Sequence, residues 1–192
     1  MDPDPVRRDA AILILVSGPP GSGKTTLAHS LARLIPCPAI CRDEIKEGMV
    51  HAHGDQLPEG QLDALNAPTN AAFFETLRGL HRAGVTIVVE AAFQDRLWRS
   101  GLDGLVDAAQ MRIVHCTVEP RVAQERMGRR IQDQRSARRA HADAAHLRAI
   151  GAGIDRAASF QSLSIPCPAI HVDTSDGYHP ALTDVLSFVL RR

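Results

Sequence analysis

An octapeptide near the start of the chain combines glycines, a lysine and a threonine at a spacing that suits phosphate binding. Residues 18–25 read Gly-Pro-Pro-Gly-Ser-Gly-Lys-Thr and satisfy the pattern Gly-x-x-x-x-Gly-Lys-Thr. The glycines let backbone N–H groups turn toward phosphate oxygens, and Lys24 places a positive charge beside them. Thr25 offers a hydroxyl ligand to Mg²⁺. We call residues 18–25 the P-loop, and its pattern predicts a site for the phosphates of ATP.

The segments on either side of the P-loop support this prediction. A continuous apolar run over 10–16 precedes it, as is typical of a strand buried on both faces. Apolar residues recur at helical spacing over 24–34, so the positive end of a helix is expected to point at the same phosphates. A nucleotide site without turnover stays an alternative. The residues expected to bind the nucleotide are Gly18, Pro19, Pro20, Gly21, Ser22, Gly23, Lys24, Thr25 and Thr26.

A first carboxylate follows the second short apolar segment. Residues 38–41 are a predicted strand, and Asp43 comes two residues after it. If this strand lies near the first, Asp43 faces the crevice of the P-loop, where it can accept a proton from a hydroxyl that attacks a phosphate. Arg42 and Lys46 are candidates for holding substrate or phosphate. The alternative interpretation is that Asp43 only caps the helix that follows.

A second carboxylate, Glu90, stands at the end of the β-branched run over 85–89. That run predicts a buried strand, and a carboxylate at the end of such a strand requires a partner. Glu90 is therefore expected to hold Mg²⁺, directly or through water, or to contact the acceptor of a phosphoryl group. Together with Thr25, it forms the predicted metal site.

Seven arginines crowd the segment between residues 121 and 139, which has only two acidic residues. The i,i+4 spacing of Arg126 and Arg130 puts two cations on one helical face, where they repel each other unless an anion lies between them. A polyanion such as a triphosphate is the natural partner. A solvated helix face and a nucleic-acid surface are the alternatives, but the segment has no aromatic side chain for base stacking.

The histidines and cysteines show no spacing that predicts a metal site. The four cysteines include no Cys-x-x-Cys pair, and we expect small buried thiols rather than disulfides or metal ligands. No set of His, Cys and Asp has the spacing of a zinc site. His51 and His53 lie in a polar segment over 51–59 that is predicted to be a loop.

The elements that must position these residues follow from hydrophobic periodicity and from Gly and Pro. Strands are predicted over 10–16, 38–41, 85–89, 111–116 and 169–172, and helices over 24–34, from 43, and over 62–82, 95–109, 119–131, 142–163 and 178–190. The alternation predicts an α/β fold with a five-stranded parallel sheet and helices on both faces.

Length and composition set the remaining limits. The 192 residues have a formal net charge of zero and suit one domain, over 1–192, with residues 1–9 expected to be flexible. Zero net charge argues against bulk nucleic-acid binding, although a local patch is possible. No apolar run reaches the length of a membrane span and no signal peptide is evident, so a cytoplasmic protein without a membrane partner is expected.

The motifs together resemble those of the AAA-type P-loop kinase family. That family includes the kinase domain of phage polynucleotide kinase, chloramphenicol phosphotransferase, zeta toxins and gluconate kinase. The resemblance covers residues 11–175 and rests on the P-loop, on Cys41-Arg42-Asp43-Glu44-Ile45-Lys46 and on Val88-Val89-Glu90-Ala91-Ala92-Phe93. It implies a three-layer P-loop NTPase sandwich. Glu90 stands where many relatives have Asp, and its longer side chain reaches further, which favours a contact with magnesium through water or a contact with the acceptor.

The resemblance also implies an activity and roles for residues. It implies an ATP- and Mg²⁺-dependent kinase with a hydroxyl acceptor, in which Asp43 activates the hydroxyl and Lys24 stabilises charge. Residues 127–142 would form a mobile lid, with Arg126 and Arg130 closing over the triphosphate, and the loop over 172–175 would lie beside the adenine. A small metabolite or antibiotic is the expected acceptor, a nucleic-acid 5′-hydroxyl or a nucleotide sugar is the alternative, and the chain is expected to be a monomer or a homodimer. A nucleotide-binding regulatory module is the competing class.

Overall fold

The computed structural model describes residues 11–53, 61–102, 105, 110–133, 137–152, 160 and 163–191. The strands are β1 (Leu13–Ser17), β2 (Ala39–Cys41), β3 (Ile87–Glu90), β4 (Met111–Thr117) and β5 (Ala169–Asp173). The helices are α1 (Lys24–Leu34), α2 (Arg42–His53), α3 (Asn66–Arg82), α4 (Asp95–Leu102), α5 (Pro120–Gln132), α6 (Ala137–Gly151) and α7 (Leu182–Val189), and a 3₁₀ turn over Gln61–Leu65 leads into α3. Residues 1–9, predicted to be flexible, lie outside the described part.

The five strands form one sheet in the order β2-β3-β1-β4-β5, and every pairing is parallel. The order reverses at β1, so the loop after β1 lies between crossovers that run in opposite directions. In parallel sheets, ligands bind at such a switch point, outside the carboxyl ends of the strands. The P-loop follows β1 and therefore lies at this position.

Two apolar clusters cover the two faces of the sheet, as alternating strand residues require. On one face, Leu13 and Leu15 of β1 pack with residues of α3 and α4, including Phe73 and Trp98. On the other face, Ile14 and Val16 pack with residues of α1 and α7. The predicted five-stranded α/β sandwich with helices on both faces is confirmed. No helix among the described residues combines the length and apolar character that a membrane crossing needs.

Two local predictions near the second strand are wrong. Asp43 lies in the first turn of α2, which begins at Arg42, and does not precede the helix as a cap. His51 and His53 belong to the last turn of α2 rather than to a loop. Polar composition suggested a loop there, but a polar helix forms because only part of its surface packs against α3 and the 3₁₀ turn.

The segment predicted to be a lid, 127–142, includes the end of α5 and the start of α6. Residues 134–136 between these helices lie outside the described part, and Arg135 with them. The two helices pack against each other. Within the described residues, helical structure thus extends further into the segment 132–141 than the predicted helices over 119–131 and 142–163 did.

Candidate functional site

The P-loop joins the carboxyl end of β1 to the amino end of α1. Gly21 and Gly23 have φ angles of 79° and 72°, in the left-handed region that glycine adopts at little cost. A Cβ at Gly21 would also lie 2.8 Å from the Cβ of Ala123 on α5, so a larger residue cannot fit. Lys24 is the first residue of α1, where the unpaired N–H groups of a helix lie. The loop thus has the shape and polarity of an anion site.

Lys24, Thr25 and Glu90 lie together at the start of α1. Thr25 Oγ1 donates a hydrogen bond of 3.1 Å to Glu90 Oε2, and Lys24 Nζ lies 3.7 Å from Glu90 Oε1. Glu90 is 2% exposed, and burial raises the pKa of its carboxyl, against the opposing effect of Lys24. A hydroxyl and a carboxylate on one side of a phosphate loop are the oxygen ligands that Mg²⁺ prefers.

Asp43 lies on the first turn of α2 and lines a cavity that residues of the P-loop and α1 also line. Its side chain is half exposed, and its Oδ1 accepts a hydrogen bond of 3.0 Å from Arg42 Nη1. The same guanidinium donates to Asn66 and Asn70 of α3, both at 3.0 Å. The Arg42 guanidinium thus bonds to three side chains, and it fixes the position of Oδ1 of Asp43.

Lys46 does not reach the cavity wall. It is 6% exposed, and its Nζ donates a hydrogen bond of 2.7 Å to Asn66 Oδ1, which also accepts from Arg42. Asn66 therefore neutralises neither cation but orients both. Neither Asn66 nor Asn70 was singled out as a site residue, since an asparagine near the start of a helix has no signal that separates it from an ordinary surface residue.

The two predicted lid arginines occupy different places. Arg130 lines the cavity and forms a bidentate pair with Asp143 of α6, with N···O distances of 2.8 and 3.1 Å. Arg126 instead donates to the backbone oxygen of Gly21 and to the side-chain oxygen of Thr174, at 3.3 and 3.2 Å. The structure therefore brings Arg130 into the cavity and places the Arg126 guanidinium against the P-loop and the loop after β5.

Thr174 ties that second loop to the P-loop. It is 3% exposed, and its hydroxyl lies 2.8 Å from the backbone oxygen of Ser22 and 3.2 Å from that of Thr117. Thr174 follows β5 by one residue, within the segment that the family resemblance placed beside the adenine. The carboxyl ends of β1, β4 and β5 are thus joined around one hydroxyl.

The cavity that the P-loop and Asp43 share has a volume of about 540 Å³. Of the predicted site residues, those that line it are Pro20, Gly21, Gly23, Lys24, Thr25, Thr26, Asp43 and Arg130. Those that do not line it within the described part are Gly18, Pro19, Ser22, Arg42, Lys46, Glu90 and Arg126. Lining residues that sequence reasoning missed are His29, Glu44, Ala92, Asp143 and His146.

Comparisons with known proteins identify the family and the fold. A family model described as an AAA domain matches residues 13–157. A solved candidate kinase from Chloroflexus aurantiacus has a TM-score of 0.76 at 22% identity over 94% of this chain and 97% of its own. A gluconokinase from Sinorhizobium meliloti has a TM-score of 0.55 at 18% identity over 95% and 93% of the two chains.

A third solved structure contains bound ligands. It is the adenylylsulfate (APS) kinase of Mycobacterium tuberculosis in complex with AMPPNP and APS, with a TM-score of 0.54 at 15% identity over 95% of this chain and 99% of that one. Among curated proteins, none matches the chain in sequence. Since the family model spans most of the chain and the structural neighbours share its sheet, the protein belongs to the AAA domain family and has a kinase-like P-loop fold.

Proposed function

We propose that the protein is a Mg²⁺-dependent kinase that transfers the γ-phosphoryl group of ATP to a hydroxyl of a small molecule. One observation carries the proposal: the P-loop and Asp43 line the same cavity. A phosphate site and a half-exposed carboxylate thus face each other across a space whose volume suits a bound small molecule.

The chemistry follows from the positions of four side chains. Asp43 accepts the proton of the acceptor hydroxyl, whose oxygen forms a bond to the γ-phosphorus while the bond to the β,γ-bridging oxygen breaks. Lys24 and Arg130 stabilise the negative charge that spreads over the phosphoryl oxygens. Thr25 and Glu90 would hold Mg²⁺, which neutralises phosphate charge when bound.

Arg130 contributes to this chemistry only if ATP competes with Asp143 for its guanidinium. A triphosphate has more negative charge than one carboxylate and therefore competes with Asp143 for this guanidinium when ATP binds. Arg126, in contrast, already holds the P-loop and Thr174. We therefore assign charge stabilisation to Arg130 and the positioning of the phosphate loop to Arg126.

Asp43→Asn tests the assignment of the base. The substitution keeps the size of the side chain but removes the proton acceptor, so we expect acceptor-dependent transfer from γ-labelled ATP to fall by about 10²–10⁴-fold. ATP affinity should change little, because Asp43 is assigned to the acceptor side. Asp184→Asn, an exposed change on α7, serves as the matched control and should keep full activity.

The assay needs an acceptor, which a panel of hydroxyl compounds supplies. Sugars, hydroxylated antibiotics, nucleotide sugars and oligonucleotides with a 5′-hydroxyl are each incubated with the full chain and labelled ATP. Transfer that survives in Asp43→Asn would show that the base assignment is wrong. If no compound stimulates ADP formation although ATP binds, the protein is instead a nucleotide-binding regulatory module.

A further inference from the structure

Three side chains with metal-binding atoms meet beside the P-loop, outside the set assigned to phosphoryl transfer. His29 lies on α1, Cys41 ends β2 and Glu44 lies in the first turn of α2. One nitrogen, one sulfur and one carboxylate oxygen from these residues all lie within 4.8 Å of one another. Three separate elements thus converge on a single point.

The distances are close to those that a zinc ion imposes. Cys41 Sγ lies 3.7 Å from His29 Nε2, and ordinary Zn–S and Zn–N bonds at the tetrahedral angle would separate these atoms by about 3.5 Å. His29 Nε2 lies 2.7 Å from Glu44 Oε1, at hydrogen-bond distance. Admission of the ion requires this pair to open to about 3.3 Å, which is a small side-chain movement.

The cluster is buried on one side and accessible to solvent on the other. Cys41 is 2% exposed and lies at the buried side of the cluster, whereas the side chains of His29 and Glu44 are 43% and 39% exposed. Both of these residues also line the cavity of the P-loop. Three protein ligands with a free side toward the cavity would leave a fourth position for water or for a ligand atom.

We propose that His29, Cys41 and Glu44 bind one divalent cation of the zinc class. A thiolate, an imidazole and a carboxylate are the ligands that Zn²⁺ prefers, whereas Mg²⁺ prefers oxygen ligands alone. The cluster differs in its ligand types from the Thr25–Glu90 pair, which consists of oxygen atoms, and Cys41 lies beside Glu90 on the neighbouring strand. Cys41 therefore has a role beyond that of the small buried thiol that its sequence context predicts.

The probe is Co²⁺, which can replace Zn²⁺ and reports its ligands by absorption. The full chain, without nucleotide and in excess Mg²⁺, is titrated with Co²⁺ and then with Zn²⁺. We expect one equivalent to bind, with a near-ultraviolet thiolate-to-cobalt absorption band that Zn²⁺ abolishes and Mg²⁺ does not. Failure to bind one equivalent, or displacement by Mg²⁺, would overturn the proposal.

Variants assign the ligands. Cys41→Ser should abolish the thiolate band and weaken Zn²⁺ binding at least tenfold, and Cys37→Ser, which changes another thiol of the same region, should alter neither. His29→Gln changes a partly exposed residue, so the fold should tolerate it, and it too should weaken binding at least tenfold. A band that persists in Cys41→Ser, or Zn²⁺ affinity that is unchanged in His29→Gln, contradicts the proposal. None of these outcomes depends on ATP, so the experiments test the metal site independently of the proposed kinase activity.

Discussion

At the scale of single residues, Thr174 shows how one hydroxyl can hold a phosphate loop. It bonds to backbone oxygens of Ser22 and Thr117 and also accepts from the Arg126 guanidinium. Since these partners belong to the P-loop, to β4 and to α5, the hydroxyl connects three separate segments of the chain. The P-loop is thereby fixed in shape before any ligand binds, which reduces the ordering cost of binding.

Thr174→Val removes this hydroxyl and keeps the shape of the side chain. We expect the free energy of unfolding to fall by about 1–3 kcal/mol, because buried oxygens and a guanidinium lose a partner. ATP affinity should fall as well, since the loop then fluctuates. Urea unfolding and nucleotide titration measure the two effects. Thr76→Val, an exposed change on α3, is the control, and equal losses in both variants would refute the role of Thr174.

At the scale of elements, α3 and α4 approach each other closely at Gly101. A Cβ at Gly101 would lie 2.1 Å from a ring carbon of Phe74, deep in the overlap range. Phe74 itself packs against Phe73 and Trp98 at centroid distances of 5.4 and 5.8 Å. The ring therefore has little room to retreat, and the two helices are held at the distance that glycine permits.

Gly101→Ala should lower the free energy of unfolding by about 1–3 kcal/mol, because the added methyl group overpacks the core. Gly79→Ala on α3 is the matched control, since a Cβ there meets nothing within 4 Å. That variant should be more stable by about 0.4–1 kcal/mol, because alanine loses less backbone freedom than glycine on folding. Chemical unfolding measures the free energy of unfolding of both variants. A stabilising effect of Gly101→Ala would show that the contact between Gly101 and Phe74 is absent.

At the scale of the whole molecule, the strand order places a buried carboxyl group at the carboxyl edge of the sheet, next to the central strand. Glu90 ends β3, in register with Val16 of β1 on one side and with Cys41 of β2 on the other. It thus lies between the P-loop and the helix that supplies Asp43. A buried carboxylate in this place reduces the stability of the protein when no cation is bound beside it.

Glu90→Gln measures this cost through its pH dependence. The pKa of Glu90 is raised above its ordinary value of 4.5, so the ionised carboxylate is less favourable in the folded chain than in the unfolded one. Below pH 4.5, both states are protonated and the variant should match the natural protein. As the pH rises through the folded-state pKa, the natural protein loses stability and the variant does not.

Urea unfolding without nucleotide, from pH 4.5 to 8, tests this expectation. The Glu90→Gln protein should be the more stable one at pH 8, although its Mg²⁺-dependent activity is reduced. Glu75→Gln removes an exposed carboxyl on α3 and should leave the pH dependence as it is in the natural protein. A stability difference that is constant across the pH range would mean that the carboxyl does not titrate as the burial of Glu90 implies.

Much of the fold could be predicted because its signals are local. The spacing in the P-loop, the β-branched run before Glu90 and the helical period of α1 each lie within a short stretch, and α1 was predicted with both ends correct. The predicted ends of helices were less accurate where polar composition indicated a loop, as at His51 and His53, which lie in α2. The roles of Asp43 and Arg130 stay predictions, although the structure places both at the cavity.

What only the tertiary structure decided is which distant residues meet. Asp143 of α6 forms an ion pair with Arg130 of α5. Asn66 orients Arg42 and Lys46, which are 24 and 20 residues away in the sequence, and Thr174 contacts the P-loop from 152 residues away. Such contacts depend on the sheet order and on helix packing, which no periodic pattern encodes. The sequence by itself determined a phosphate loop in a parallel α/β sheet, because backbone geometry and burial act locally. The wall of the cavity, and the His29–Cys41–Glu44 cluster beside it, arise from long-range packing.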